Sequence, residues 1–112
     1  MEPPLRGHQR VERRSLELHR AIADKLRSHP ELLEIAHDNL SRWSKTAPRS
    51  RPYWDAWREL LSRPLPEILE LIVEESEHMT AMRQATPFAG VLDLRERWAI
   101  YDRFAAEHPL NA

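Results

Sequence analysis

The stretch PLPEILELIVEESEHMTAMRQA, residues 64–85, decides how the chain folds. Pro64 and Pro66 open it, as prolines do in a first helical turn, and neither glycine nor proline returns before Pro87. Leu65, Ile68, Leu69, Ile72, Met79 and Met82 recur at helical spacing, while Glu67, Glu70, Glu74 and Glu77 mark much of the other side. The pattern predicts one amphipathic helix over about 66–85, the longest in the chain. A helix with one apolar side must bury it against another element, and the rest of the sequence supplies only helices.

Upstream, Leu18, Ile22 and Leu26 repeat every four residues, with Val11, Leu16 and Ala23 broadening the stripe, and predict a helix over 11–28. Ser28-His29-Pro30-Glu31 reads as a stop and restart, with a serine cap and a proline in the new first turn. The next helix reaches about Lys45 and carries Leu33, Ala36, Leu40 and Trp43 on one face. A polar loop at 46–52 precedes a short helix over 53–62 whose Trp54, Trp57 and Leu61 are core anchors. Downstream, the 86–92 segment is apolar for a loop and is expected to pack inward, although an exposed Phe88 with Val91 would mark an interface. Asp93 and Glu96 have capping-box spacing and open a last helix over 94–107, with Leu94, Trp98, Tyr101 and Ala105 on one face. The expectation is an all-α, compact single domain of four to five short helices over 11–107. A flexible basic arm occupies 1–10, and the tail at 108–112 frays.

Composition narrows function mainly by exclusion. With 112 residues, one core is the natural count, and the absence of cysteine removes disulfides, thiolate metal sites and cysteine nucleophiles. No apolar run approaches membrane-spanning length, so a cytoplasmic location is expected. The net charge of −1 hides an asymmetry. Residues 1–63 hold 13 Lys/Arg against 9 Asp/Glu, whereas residues 64–112 hold 4 against 9. A domain basic at one end and acidic at the other is a poor general nucleic-acid binder.

Two Glu-x-x-His motifs, Glu34 with His37 and Glu75 with His78, are the sharpest chemical signal. Di-metal carboxylate bundles use such pairs, and Glu17 and Glu59 would nominally complete the set. Chance alone yields about one such motif in a chain this rich in glutamate, and the third helix is too short to enclose two metals. No nucleophile elbow, P-loop or dinucleotide fingerprint is present, and two glycines cannot build a phosphate cradle. The chain is expected to be no enzyme and to use no cofactor and no metal.

Glu67, Glu70, Glu74, Glu75 and Glu77 are either a solubility face or a surface offered to a basic partner. Arg6, Arg10, Arg13 and Arg14 are the corresponding basic feature, without the aromatic residues that accompany nucleic-acid binding.

Residues 14–20 (RSLELHR) and 74–101 (EESEHMTAMRQATPFAGVLDLRERWAIY) resemble a group of small bacterial proteins encoded beside nucleotidyltransferase-like toxins. The resemblance runs from about Arg14 to Phe104 and is most specific at 82–92 and at Arg95-Glu96-Arg97. It implies an antitoxin that neutralises a toxin, encoded by a neighbouring gene, through tight stoichiometric binding. On that reading Glu70, Glu74, Glu75 and Glu77 meet partner arginines or lysines, and Arg83, Gln84, Pro87 and Phe88 shape the contact. The alternatives are an adaptor domain or homodimer that hides Trp54 or Trp57, and a DNA-binding autoregulator using the arginine arm. No membrane association is expected.

Overall fold

The structure, a computed structural model, describes residues 4–110. Six α-helices run through them, joined by short connections and with no strand among the described residues. They are α1 (Gly7–Ser28), α2 (Leu33–Thr46), α3 (Arg51–Leu61), α4 (Leu65–Leu71), α5 (Glu77–Gln84) and α6 (Leu94–Glu107). Single 3-10 turns at Pro30–Leu32 and Pro48–Ser50 bracket α2, each where a proline prevents the preceding helix from continuing. The expected stop and restart at 28–31 is therefore present. The longest helix is α1, which packs on α5 and α6 and touches α4, while α2 pairs with α3.

Three expectations need correction. The first helix begins at Gly7, so 7–10 belong to it and not to an arm; Gln9 Oε1 accepts the Arg6 N–H at 2.9 Å to close the new first turn. Arg10 donates to the His108 carbonyl and lies 5.2 Å over the Phe104 ring, which ties the start of α1 to the end of α6. His108, expected in the fraying tail, is half-buried with its ring 4.6 Å from that of Phe104. Residues 1–3 of the expected arm and 111–112 of the tail lie outside the described residues.

The second correction concerns the stretch that decides the fold. Residues 64–85 form two helices, broken at 72–76. The break has two causes, both from the α5 side. Ser76, extended at φ −94° and ψ 159°, caps α5 by accepting the Met79 N–H, and its carbonyl accepts the Thr80 hydroxyl. Arg83, only 3% exposed, reaches back from α5 and donates to the carbonyls of Ile72 at 3.1 Å and Glu74 at 2.8 Å. One guanidinium thus satisfies acceptors that a continuous helix would satisfy with its own backbone.

Third, α6 turns its expected core stripe outward. Ile100 and Phe104 are buried, whereas Leu94 is 68% and Trp98 56% exposed, Ala105 is exposed and Tyr101 is half-buried. The contact with α1 selects a face roughly a quarter turn from the stripe, at 100° per residue. The Asp93–Glu96 capping box forms as expected, with both reciprocal hydrogen bonds at 2.8 and 2.9 Å.

The core closes around Phe88, whose ring stands edge-on to His19 at 5.9 Å and to Trp57 at 5.5 Å. The apolar loop packs inward: Pro87, Phe88, Val91 and Leu92 are buried. Its backbone is held from α2 by Asn39, whose amide nitrogen donates to the carbonyls of Pro87 at 2.8 Å and Ala89 at 2.9 Å. Trp57 Nε1 donates to the Met82 carbonyl at 3.0 Å, capping the end of α5. Gly90, at φ +96°, supplies the left-handed residue that lets the loop turn back.

Candidate interaction surfaces

The residues expected to meet a partner divide into three groups. Glu70 and Glu74, together with Glu67, are exposed and share a shallow depression with Arg63 and Leu71. Arg63 is held at 3.1 Å by Glu59, and no cation among the described residues lies within ion-pair distance of Glu67, Glu70 or Glu74. Glu77 is exposed in the first turn of α5, where its charge favours the helix N-terminus, and Gln84 is exposed in the last turn.

Glu75 belongs to a second group. It lies 3.5 Å from Arg13 and 3.9 Å from Arg20, so it ties the α4–α5 connection to α1. Exposed pairs of this kind add little stability, but they occupy the charge.

The third group lies inside. Arg83, Pro87 and Phe88 are buried, so none of them stands out on the surface, and Phe88 reaches it only as part of the lining of a cleft beside α6. The apolar character of 87–92 serves the core, as its composition suggested, and only Ala89 and Gly90 are exposed there. Burial also holds the Arg83 pKa below its usual value, opposed by the nearby Glu75 and Glu74 carboxylates.

Two alternative surfaces are likewise relocated. Trp54 and Trp57 are buried, with Trp54 Nε1 donating to the Ala47 carbonyl at 3.1 Å, so neither needs a dimer to hide it. Three of the four arginines expected in a free arm are engaged within the fold: Arg10 with Phe104 and His108, Arg13 with Glu75, and Arg14 over the Tyr101 ring at 5.3 Å, while Arg6 is exposed. Glu34, His37 and His78 are exposed, and among the described residues no three His, Asp or Glu side chains come together in a group that could hold a metal ion.

Sequence reasoning missed the outward face of α6. Leu94, Trp98 and Tyr101 line it, with Trp98 edge-on to Tyr101 at 5.7 Å. Arg97 Nη2 donates to the Tyr101 hydroxyl at 3.2 Å and its guanidinium lies 5.9 Å from the ring centre. The available signal was a double pattern: α6 carries Ile100 and Phe104 in addition to the 94, 98, 101 stripe, more apolar positions than one packing face requires.

Beside this face opens a cleft of about 170 Å3, with apolar walls from Leu18, Ile22, Phe88 and Leu92 and a floor that includes His19 and Thr86. His19 is 2% exposed. Its Nδ1 lies 2.7 Å from the Ser15 carbonyl, which can only accept, so Nδ1 carries the proton. Nε2 therefore accepts from the Thr86 hydroxyl at 2.8 Å, and the Thr86 oxygen accepts the Phe88 N–H at 3.3 Å. Desolvation by burial lowers the His19 pKa to about 4, opposed by the Ser15 hydrogen bond and reinforced by the charge of Arg83. A neutral imidazole with both nitrogens bonded is a structural fastener, not a poised acid or base.

No helix among the described residues is long and apolar enough to cross a membrane. Comparison of the chain with protein-family models, with curated proteins and with solved structures finds no match.

Proposed function

We propose that the chain is a stoichiometric protein-binding module whose acidic ridge, Glu67, Glu70 and Glu74, meets a basic surface on its partner. The observation that carries this reading is the exposure of the three carboxylates around one depression with no described cation pairing them. Unpaired like charges held together disfavour the folded chain slightly, and a partner's arginines or lysines reverse that cost while steering encounter. The resemblance supplies the partner class: a nucleotidyltransferase-like toxin encoded by a neighbouring gene, whose nucleotide or RNA site the ridge occludes. The module works by occupancy and has no catalytic role.

The test is a titration of the chain into the purified product of the adjacent gene, at low and moderate salt. Tight one-to-one binding is expected, together with at least tenfold weakening in the Glu70→Lys/Glu74→Lys double variant at low salt. These two positions are exposed and stand outside the capping interactions, so the variant keeps its helicity. Unchanged affinity in a folded double variant overturns the ridge assignment. Absence of any binding overturns the toxin reading.

A further inference from the structure

Leu94 and Trp98, one turn apart on α6, are the most exposed large apolar side chains within the helices, at 68% and 56%. Arg97 connects them to the 170 Å3 cleft: it lines the cleft and lies against Tyr101, the ring on which Trp98 also packs. We propose that this face docks an acidic segment of a partner protein, which places one bulky apolar side chain in the cleft and its carboxylates on Arg14 and Arg97.

Size selects the kind of occupant. Pockets for cofactors and drug-sized ligands run from about 300 to 1,000 Å3, so this cleft falls short of them and suits a single Leu, Phe or Trp side chain. Its chemistry agrees. The polar groups in the floor, His19 and Thr86, already bond each other and the backbone, and apart from Ser15 and Arg97 the remaining lining is apolar.

Charge selects the rest of the segment. Arg14 and Arg97 make no ion pair among the described residues, and both guanidinium groups are held against Tyr101. The carboxylates of the first turn of α6 are otherwise occupied: Asp93 caps the helix, and Glu96 accepts from Lys25 Nζ at 2.6 Å. Two pre-positioned cations beside an apolar slot complement carboxylates flanking an apolar anchor. A second copy docked through the same face brings four arginines into one interface, and this like charge disfavours a homodimer. Two arginines on a chain of net charge −1 are also too few for a groove that tracks a nucleic-acid backbone.

The experiment uses the full chain and short fluorescein-labelled peptides carrying one Leu, Phe or Trp in an Asp/Glu, a Lys/Arg or a Gly/Ser background, with labelled oligo(dT) as a further probe. Fluorescence polarisation is expected to show saturable, salt-sensitive binding of the acidic peptides only. Trp98→Ser and Arg14→Gln/Arg97→Gln should each weaken it about tenfold with only a small change in the thermal melt, because the substituted groups are exposed and their contacts with Tyr101 lie at the surface. The proposal is overturned if acidic peptides do not bind saturably or bind equally well without their apolar residue. Tighter binding of basic peptides or oligo(dT) also overturns it. Self-association by sedimentation that Trp98→Ser abolishes assigns the face to a second copy and overturns it as well. The acidic ridge rests on other residues, so either result leaves that reading to its own test.

Discussion

Thr86 donates its hydroxyl hydrogen to His19 Nε2 at 2.8 Å, joining a loop to a helix 67 residues away in sequence. The bond requires a neutral imidazole, and that requirement makes the fold sensitive to acid. Well above pH 6.5 His19 is neutral in both folded and unfolded chains, and its contribution is constant. Below that, the unfolded chain takes up a proton that the folded one refuses until about pH 4, so stability falls across this window. The full loss is about 3 kcal/mol from the shift alone. Urea melts at a series of pH values should show it, and His19→Gln should flatten the curve between pH 6.5 and 4 relative to the native chain.

Arg83 is the link between α4 and α5. Replacing it with Met leaves the buried Ile72 carbonyl and the part-buried Glu74 carbonyl without their donor. A loss of about 2–4 kcal/mol is expected. Hydrogen exchange should localise the damage, with protection falling first around residues 72–80.

Asn39→Asp is nearly isosteric and chemically opposite. The carboxylate cannot donate to Pro87 and Ala89, and it places a charge beside two carbonyl oxygens; Arg42, which donates to Asn39 Oδ1 at 2.6 Å, offsets only part of this. The expected cost is about 2–4 kcal/mol at neutral pH, shrinking as the pH falls and the acid is protonated. A denaturation series across pH checks both the size and the direction.

Gly90→Ala should cost about 1–2 kcal/mol. A Cβ there meets Ile35 Cγ2 at 3.6 Å, an ordinary contact, so the penalty comes from φ +96° and not from a clash. The melting temperature should drop, with little change in the circular dichroism of the folded state.

The sequence shows the helical class clearly because its punctuation is chemical and local. Proline at 30, 48, 64 and 66 and the Asp93–Glu96 box act within a turn or so of where they stand, so their effect is readable without knowing the fold. The break at 72–76 is harder to read because half its cause is eleven residues distant: Arg83 supplies a backbone donor from the next helix. Ser76 followed by Glu77 was the local half of that signal. The reversed face of α6 has a different origin. Periodicity shows that a stripe exists but not which of two stripes meets α1, and the choice of Ile100 and Phe104 depends on what α1 presents. For the interaction surfaces, charge was legible and pairing was not. Glu74 and Glu75 look alike in sequence, yet Glu75 is tied to Arg13 and Arg20 while Glu74 is unpaired among the described residues.

The clasp around residues 86–92 also governs the order in which this chain can mature. Its fasteners come from α1, α2 and α3, through the hydrogen bonds of His19 and Asn39 and the Trp57 ring against Phe88, but the segment they hold follows all of these helices in the chain. During synthesis, a growing polypeptide that ends before Thr86 has made the helices but not the plug that Phe88 inserts between His19 and Trp57. Cooperative closure therefore waits until the last quarter of the chain leaves the ribosome, and a shortened product lacking that quarter presents its unfilled centre to chaperones and proteases.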